Sequence, residues 1–249
     1  MASDLWFESW FDSPLYEQLY ANRDDGEAEQ LVSWISAAFP SLEHPEVLDM
    51  GCGRGRHSIL LAKKGYTVTG VDLSPIAIRK SREKAEQMDI GNAAFVTGDM
   101  RIWKGGPFDL VCSLFTSFGY FEDDSENMGV LRNLAANIAD SGFLILDYLN
   151  PLYVKSSLVP EEMANVGDLT CRITRKIEVD TVVKTITFLS TGSDKSMIYQ
   201  ERVKLYDSQW FRAAFERIGM RLSAIHGDYE GGLFDTESSS RMLMILEKE

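Results

Sequence analysis

No apolar run in this 249-residue chain approaches the roughly 18 residues that a membrane span requires. The opening MASDLWFESWFDSP is acidic and aromatic where an export signal would be basic and then apolar. A soluble chain without an export signal is expected, cytoplasmic and away from the membrane. Cysteine is scarce: Cys52, Cys112 and Cys171 lie far apart, without CxxC spacing, each in an apolar stretch. That is the setting of reduced, buried thiols and not of disulfides or zinc. The three histidines, His44, His57 and His226, are scattered, so no metal site is expected. Base is nearly missing from residues 1 to 50, where eleven acids face Arg23 alone. Over the whole chain 38 acids oppose 25 bases, a net charge of −13. Binding to a phosphate backbone requires a positive groove to release counterions, so nucleic acid is not an expected partner and a small or cationic molecule fits better. The acidity serves either solubility or steering. The remaining composition, 45% apolar and 25% charged, excludes a disordered or fibrous chain and fits one large domain or a domain with an insertion.

The pattern divides the chain into four stretches. In residues 1 to 45, Leu15, Leu19, Leu31, Ile35 and Phe39 are spaced as one or two amphipathic helices broken near Asp24-Asp25-Gly26, which should pack as a cap. From 46 to 150, short buried strands at Val47-Leu48, 68–71, 94–96, 108–114 and 142–147 alternate with helices at 58–64, 75–88 and 122–138. Pro75 stands at a first helical turn, where its missing N–H costs nothing. Between 151 and 206 the period changes, and residues 168–206 alternate polar and apolar with a turn at Thr191-Gly192-Ser193-Asp194, the pattern of antiparallel hairpins. Residues 207–249 return to the core with a helix capped by Asp207 or Ser208 and ending at Gly219, then strands at 220–226 and 241–247. The fold class is α/β: a doubly wound, seven-stranded, mostly parallel sheet, with its ligand at the carboxyl ends of the strands and an antiparallel β insertion after the fifth strand.

The chemistry lies in Val47-Leu48-Asp49-Met50-Gly51-Cys52-Gly53-Arg54-Gly55-Arg56, a buried strand running into a glycine-rich turn and a helix. Glycine lets the backbone approach a ligand closely. The dinucleotide fingerprint G-x-G-x-x-G would need glycine where Arg56 stands, which argues against a nicotinamide oxidoreductase. With Asp49 before the turn, the ligand is expected to have a cationic or amine-bearing tail. Asp72 ends the second strand, 17 residues beyond Gly55, where a carboxylate accepts both hydroxyls of a ribose. Asp99, in Gly98-Asp99-Met100, is placed to accept from an adenine amino group.

This set resembles the class I S-adenosylmethionine-dependent methyltransferases over about residues 46–150 and 207–249. The resemblance implies S-adenosylmethionine as cofactor and S-adenosylhomocysteine as product. It implies that Gly51, Cys52 and Gly53 border the methionine portion, that Asp72 holds the ribose, that Leu73 packs on the adenine with Asp99 and Met100 at its edge, and that Leu114 completes the pocket. Tyr20 with Arg23 resembles the tyrosine and arginine by which some relatives hold the cofactor carboxylate; Arg23 either does so or neutralises Asp24 or Asp25. The stretch Ser113 to Phe121 resembles the aminosugar and the glycine/sarcosine N-methyltransferases, which also roof the active site with an antiparallel insertion. The opening Trp6-Phe7 and Trp10-Phe11 resembles uncharacterised bacterial methyltransferases of similar length. In the aminosugar enzymes a histidine stands where this chain has Tyr120. A tyrosine titrates near ~10 and is a poor base at neutral pH, so Tyr120 is expected to position the acceptor. His226, at the end of a core strand, is the other candidate on the substrate side.

Methyl transfer is an in-line displacement, so alignment supplies most of the rate. An amine needs only to be neutral when bound, whereas a hydroxyl or acidic carbon needs a base or metal. The expected activity is methyl transfer to a small-molecule amine nitrogen, by a monomer or homodimer. The alternatives are an RNA (tRNA) methyltransferase and a non-catalytic cofactor-binding regulatory subunit. The aromatics Trp6, Phe7, Trp10, Phe11, Tyr16, Tyr20, Phe115, Phe118, Tyr120, Tyr148 and Tyr153 either seal the site or offer π-faces to a cation, worth roughly 0.5–2 kcal/mol per well-placed ring.

Overall fold

A computed structural model describes residues 6–20, 25–167, 169–189 and 196–249. Helices α1 (Trp6–Phe11), α2 (Pro14–Leu19) and α3 (Asp25–Ala38) lead into β1 (Glu46–Met50), α4 (Arg56–Lys63), β2 (Thr67–Asp72), α5 (Pro75–Gln87), β3 (Ala93–Thr97), β4 (Phe108–Ser113), α6 (Asp124–Ala136) and β5 (Ile138–Leu149). After α7 (Pro151–Ser157) come β6 (Glu161–Val166), β7 (Leu169–Glu178), β8 (Thr181–Leu189) and β9 (Met197–Lys204), and the chain closes with α8 (Ser208–Glu216), β10 (Met220–His226) and β11 (Arg241–Lys248). The seven-stranded sheet has the order β3-β2-β1-β4-β5-β11-β10. It is parallel from β3 to β5, while β11 runs antiparallel to both β5 and β10. The chain reverses its winding direction between β1 and β4, and in such sheets the crevice opens beyond the carboxyl ends at that reversal.

Because side chains alternate across a strand, neighbouring residues build different cores. Leu48, Val111, Leu144 and Met244 face one layer with Leu131, Phe211 and Phe215. Val47, Leu110, Ile145 and Leu243 face the other, with Leu31, Ile35 and Leu61. Helix starts follow local chemistry: Ser74 Oγ accepts from Ala77 N at 2.9 Å ahead of Pro75, and Asp207 Oδ1 accepts from Trp210 N at 2.8 Å. Asp207, not Ser208, is therefore the cap.

The second sheet, β6-β7-β8-β9, is antiparallel throughout and follows β5. Two of its features differ from the sequence reading. The segment after residue 150 opens with α7, because Asn150 caps it, accepting from Leu152 N at 3.2 Å, and Pro151 occupies the first turn. The sheet also gains β6, whose largely exposed edge leaves no clean alternation to read. The turn expected at 191–194 lies outside the described residues. The N-terminal cap divides in two: α3 packs on the large sheet, whereas Trp10 of α1, fully buried, packs with Val166, Cys171, Ile173, Ile186 and Phe188 of the small one. The three cysteines are buried and free.

Candidate active site

A cavity of about 1020 Å³ opens at the carboxyl ends of β1, β2, β4 and β5. Its floor is the glycine turn. Gly51 N and Cys52 N both donate to Val71 O, at 2.7 and 3.0 Å, folding the turn across the end of β2. Gly51 has φ 80°, and a Cβ there would stand 2.7 Å from Ser117 Cβ. Gly53 has φ 55° and nothing within 4 Å of where its Cβ would be, so bare backbone faces open space. Beside it Asp72, half-buried, accepts from Gly53 N and Ser74 N, both at 2.9 Å, one on each carboxylate oxygen. Burial pushes its carboxyl above the usual range, against those two bonds. Each oxygen retains a lone pair. An exposed glycine backbone next to a fixed carboxylate is the donor and acceptor set that an adenosyl amino acid needs, and the residues fit that group.

The cavity brings together Tyr20, Gly51, Cys52, Gly53, Asp72, Leu73, Asp99, Met100, Leu114 and Tyr120. Three expectations change. Asp49 does not line the cavity: it points behind the turn, 2% exposed, and accepts from Ser58 Oγ of α4 at 2.5 Å. Burial raises its pKa to about 6, so it serves the turn from beneath and does not meet a ligand. Asp99 lines the cavity, but Arg101 grips it through Nε at 3.0 and 3.1 Å, Nη2 at 2.6 Å and its backbone N at 2.8 Å. Burial works to raise the Asp99 pKa, and Arg101 outweighs it, leaving the carboxyl below its ordinary range. His226 lies outside the cavity: its Nδ1 is 3.0 Å from Gly231 O and its ring 4.9 Å from that of Trp34. β10 runs parallel to β5, so His226 is level with Asp147, but it stands on the outermost strand with β11 and β5 between it and the crevice. Arg23 lies outside the described residues.

Tyr120 lines the cavity, and its hydroxyl donates to Thr116 O at 2.6 Å. Around it Trp6, Phe7, Phe11, Tyr16, Tyr20 and Phe115 form an aromatic wall. Trp10, Phe118 and Tyr148 instead belong to the cores, and Tyr153 is exposed. Helices α1 and α2 are tied over the opening by Asp12 to Ser74, by Glu17 to Lys80 and Arg54, and by Trp10 Nε1 donating to Glu201 Oε1 at 2.8 Å. Tyr20 also donates to Glu201, and receives from Lys184.

Sequence reasoning passed over Thr116, Glu201 and Arg241, which line the same cavity. Phe115 and Thr116 are left-handed, at φ 56° and 63°, a costly conformation for an aromatic and a β-branched residue. Buried Asp147 holds them: its Oδ2 accepts from Phe115 N at 2.7 Å and from Tyr229 Oη at 2.8 Å, and its backbone O accepts from Thr116 N at 3.1 Å. Arg241 donates to Asp147 Oδ1 through Nε at 2.9 Å and Nη2 at 2.7 Å, and to Thr116 Oγ1 at 2.8 Å. The β11–β5 register sets Leu243 opposite Asp147, so Arg241, two residues away, shares its face. A charged residue at the start of the last strand carries no local signal of this.

Comparison with known proteins agrees with this geometry. Residues 47–142 match the methyltransferase domain family. Glycine N-methyltransferase of Mus musculus is 29% identical over 202 residues, 72% of this chain and 69% of that protein. Cypemycin N-terminal methyltransferase of a Streptomyces species is 26% identical over 233 residues, 88% of this chain and 89% of its own. Among solved structures, an S-adenosylmethionine-dependent methyltransferase from Clostridium acetobutylicum superimposes with a TM-score of 0.79 at 16% identity, covering 94% of this chain and 96% of that one. The matched domain contains the glycine turn, Asp72 and the strand ends that frame the cavity, and the wider likeness takes in both sheets. Residues 47–142 carry a methyltransferase domain, and the chain has the fold of the class I S-adenosylmethionine-dependent methyltransferases.

Proposed function

We propose that the chain methylates the amine nitrogen of a small molecule held between the glycine turn and the aromatic wall. The observation that carries this reading is the acceptor end of the cavity, where Tyr120 has its proton committed to Thr116 O and so stands as an orienting oxygen, not a base. The names of the relatives support it: one is named for the nitrogen of glycine, another for a peptide N-terminus.

S-adenosylmethionine, when bound, supplies an electrophilic methyl group on a sulfonium. Gly51, Cys52 and Gly53 would lie along its methionine portion, Asp72 would accept from the ribose hydroxyls, and Leu73, Met100 and Leu114 would pack on the adenine. Asp99 would meet the adenine edge already neutralised by Arg101. Tyr20, held by Glu201, would close the tail end, and the antiparallel sheet would roof the site through Glu201 and Val203 of β9. The Tyr120 oxygen accepts an N–H of the incoming amine and so turns the nitrogen lone pair toward the methyl. The rings of α1 and α2 exclude water, and alignment in a dry chamber accounts for most of the rate.

The test is to incubate a metabolite extract with methyl-labelled cofactor and identify the labelled product. A methylated amine is expected. Label on oxygen or carbon, or only on tRNA, would overturn the reading, as would wild-type protein that binds S-adenosylhomocysteine yet labels nothing.

A further inference from the structure

Arg241 has one more feature. Its side chain is 19% exposed, and that surface opens on the cavity. Nε and Nη2 are spent on Asp147 and Thr116, while Nη1 has no hydrogen-bond partner among the described residues. The guanidinium is thus locked along one edge and presents two N–H donors on the other. Asp147 has nothing further to give, since its carboxylate oxygens already take Arg241, Phe115 N and Tyr229 Oη. A buried ion pair is weak evidence for stability in its own right, and the Arg fork is the group suited to a planar anion.

The other cations on the cavity wall are disposed differently. Arg54 and Lys80 pair with Glu17, and Arg101 pairs with Asp99 and Glu126. Lys84 stands on α5, and Arg56, at the start of α4, lies 4.7 Å from the centre of the Phe115 ring, which Arg241 also approaches at 5.7 Å. Exposed Glu27 is a further acid within electrostatic reach of Arg241 among the described residues. At the acceptor end a single guanidinium edge matches one negative charge, which fits a carboxylate better than a phosphate ester of two charges.

We propose that the acceptor is an amino acid, its carboxylate held by the Nη1 edge of Arg241 while its amine meets Tyr120. This rests on the reading of the site as an amine methyltransferase and adds the acidic group to it. The pair Asp147 and Thr116 positions the guanidinium, and through the strained turn at 115–116 the same cluster sets the acceptor wall.

Calorimetry on the protein saturated with S-adenosylhomocysteine tests this with a panel of α-, β- and γ-amino acids, each beside its primary amide. At least one acid should bind ten or more times tighter than its amide. Arg241→Met alone strands the Asp147 charge, so the informative variant is Arg241→Met with Asp147→Asn. There the ratio should fall to within twofold of unity while S-adenosylhomocysteine affinity stays within threefold. Arg241→Lys should keep part of the preference. The proposal is overturned if no acid outbinds its amide in the wild type, or if the double variant keeps the ratio. It is equally overturned if cofactor-product affinity collapses instead, which would give the guanidinium to the cofactor's own carboxylate. Labelling of amines without a carboxylate, and of no amino acid, would sink this proposal and leave amine methylation standing.

Discussion

Two carboxylates of the glycine region carry opposite assignments, and burial decides between them. Asp72 keeps a lone pair on each oxygen at the cavity wall, and charged hydrogen bonds of this kind contribute roughly 1.5–3 kcal/mol each. Replacing it by Ala should weaken S-adenosylhomocysteine binding by about ten- to a hundredfold in calorimetry, and unchanged affinity would remove the ribose assignment. Asp49 is buried behind the turn with a pKa of about 6 against an ordinary 3.8. Its protonated form therefore favours the fold; the benefit is complete below pH 3.8 and is lost as pH rises through about 6. Asp49→Asn, which can still accept from Ser58, should gain on the order of 1–3 kcal/mol at pH 7 and flatten the stability slope between pH 4 and 6, as measured by denaturant titration. A variant less stable at pH 7 would show that the carboxylate charge itself is required. The sequence showed that an acid stands before the turn, but not which way it points, since that depends on α4 placing Ser58 against it.

At the scale of elements, helices and strands of the α/β core were legible because each carried its own signal: Ser74 before Pro75, Asp207 before an amphipathic run, buried strands between. The segment from Asn150 was legible only in part. Its alternation reveals the hairpins, but sequence reasoning missed α7, capped by Asn150 ahead of Pro151, and β6 has an exposed edge with no period. How α1 and α2 sit could not be read, because their aromatic face fits any apolar surface. Glu201 of β9 fixes the choice by accepting from Trp10 and Tyr20. Glu201→Ala should free residues 6–20, by roughly 1–3 kcal/mol for two lost hydrogen bonds to a carboxylate. Faster hydrogen exchange confined to 6–20 and a raised KM for both substrates are expected; unaltered exchange there would refute the tie.

Across the whole molecule, charge and burial act together on stability. Burial raises the pKa of Asp49 and Asp72, so both cost stability as pH rises through the range above 4. Glu17, held low by its hydrogen bond from Lys80, and Asp99, held low by Arg101 against burial, do the reverse and lose their contribution as pH falls below the ordinary carboxylate range. A net charge of −13 adds self-repulsion toward alkaline pH. The ligand-free protein should therefore melt at its highest temperature between about pH 4 and 6. A melting temperature that climbs steadily from pH 5 to 8 would contradict this balance. The sequence by itself determined the alternating α/β core, the glycine turn and the carboxylate of Asp72, since local pattern and spacing along one strand and its neighbour suffice for those. Only the tertiary structure decided that Asp49 faces inward, that His226 stands apart, that Arg241 and Asp147 meet at Thr116, and that Glu201 reaches Trp10 and Tyr20. Those placements come from the antiparallel register of β11 on β5 and from the docking of α1 and α2 on a separate sheet, where residues far apart in the chain become neighbours.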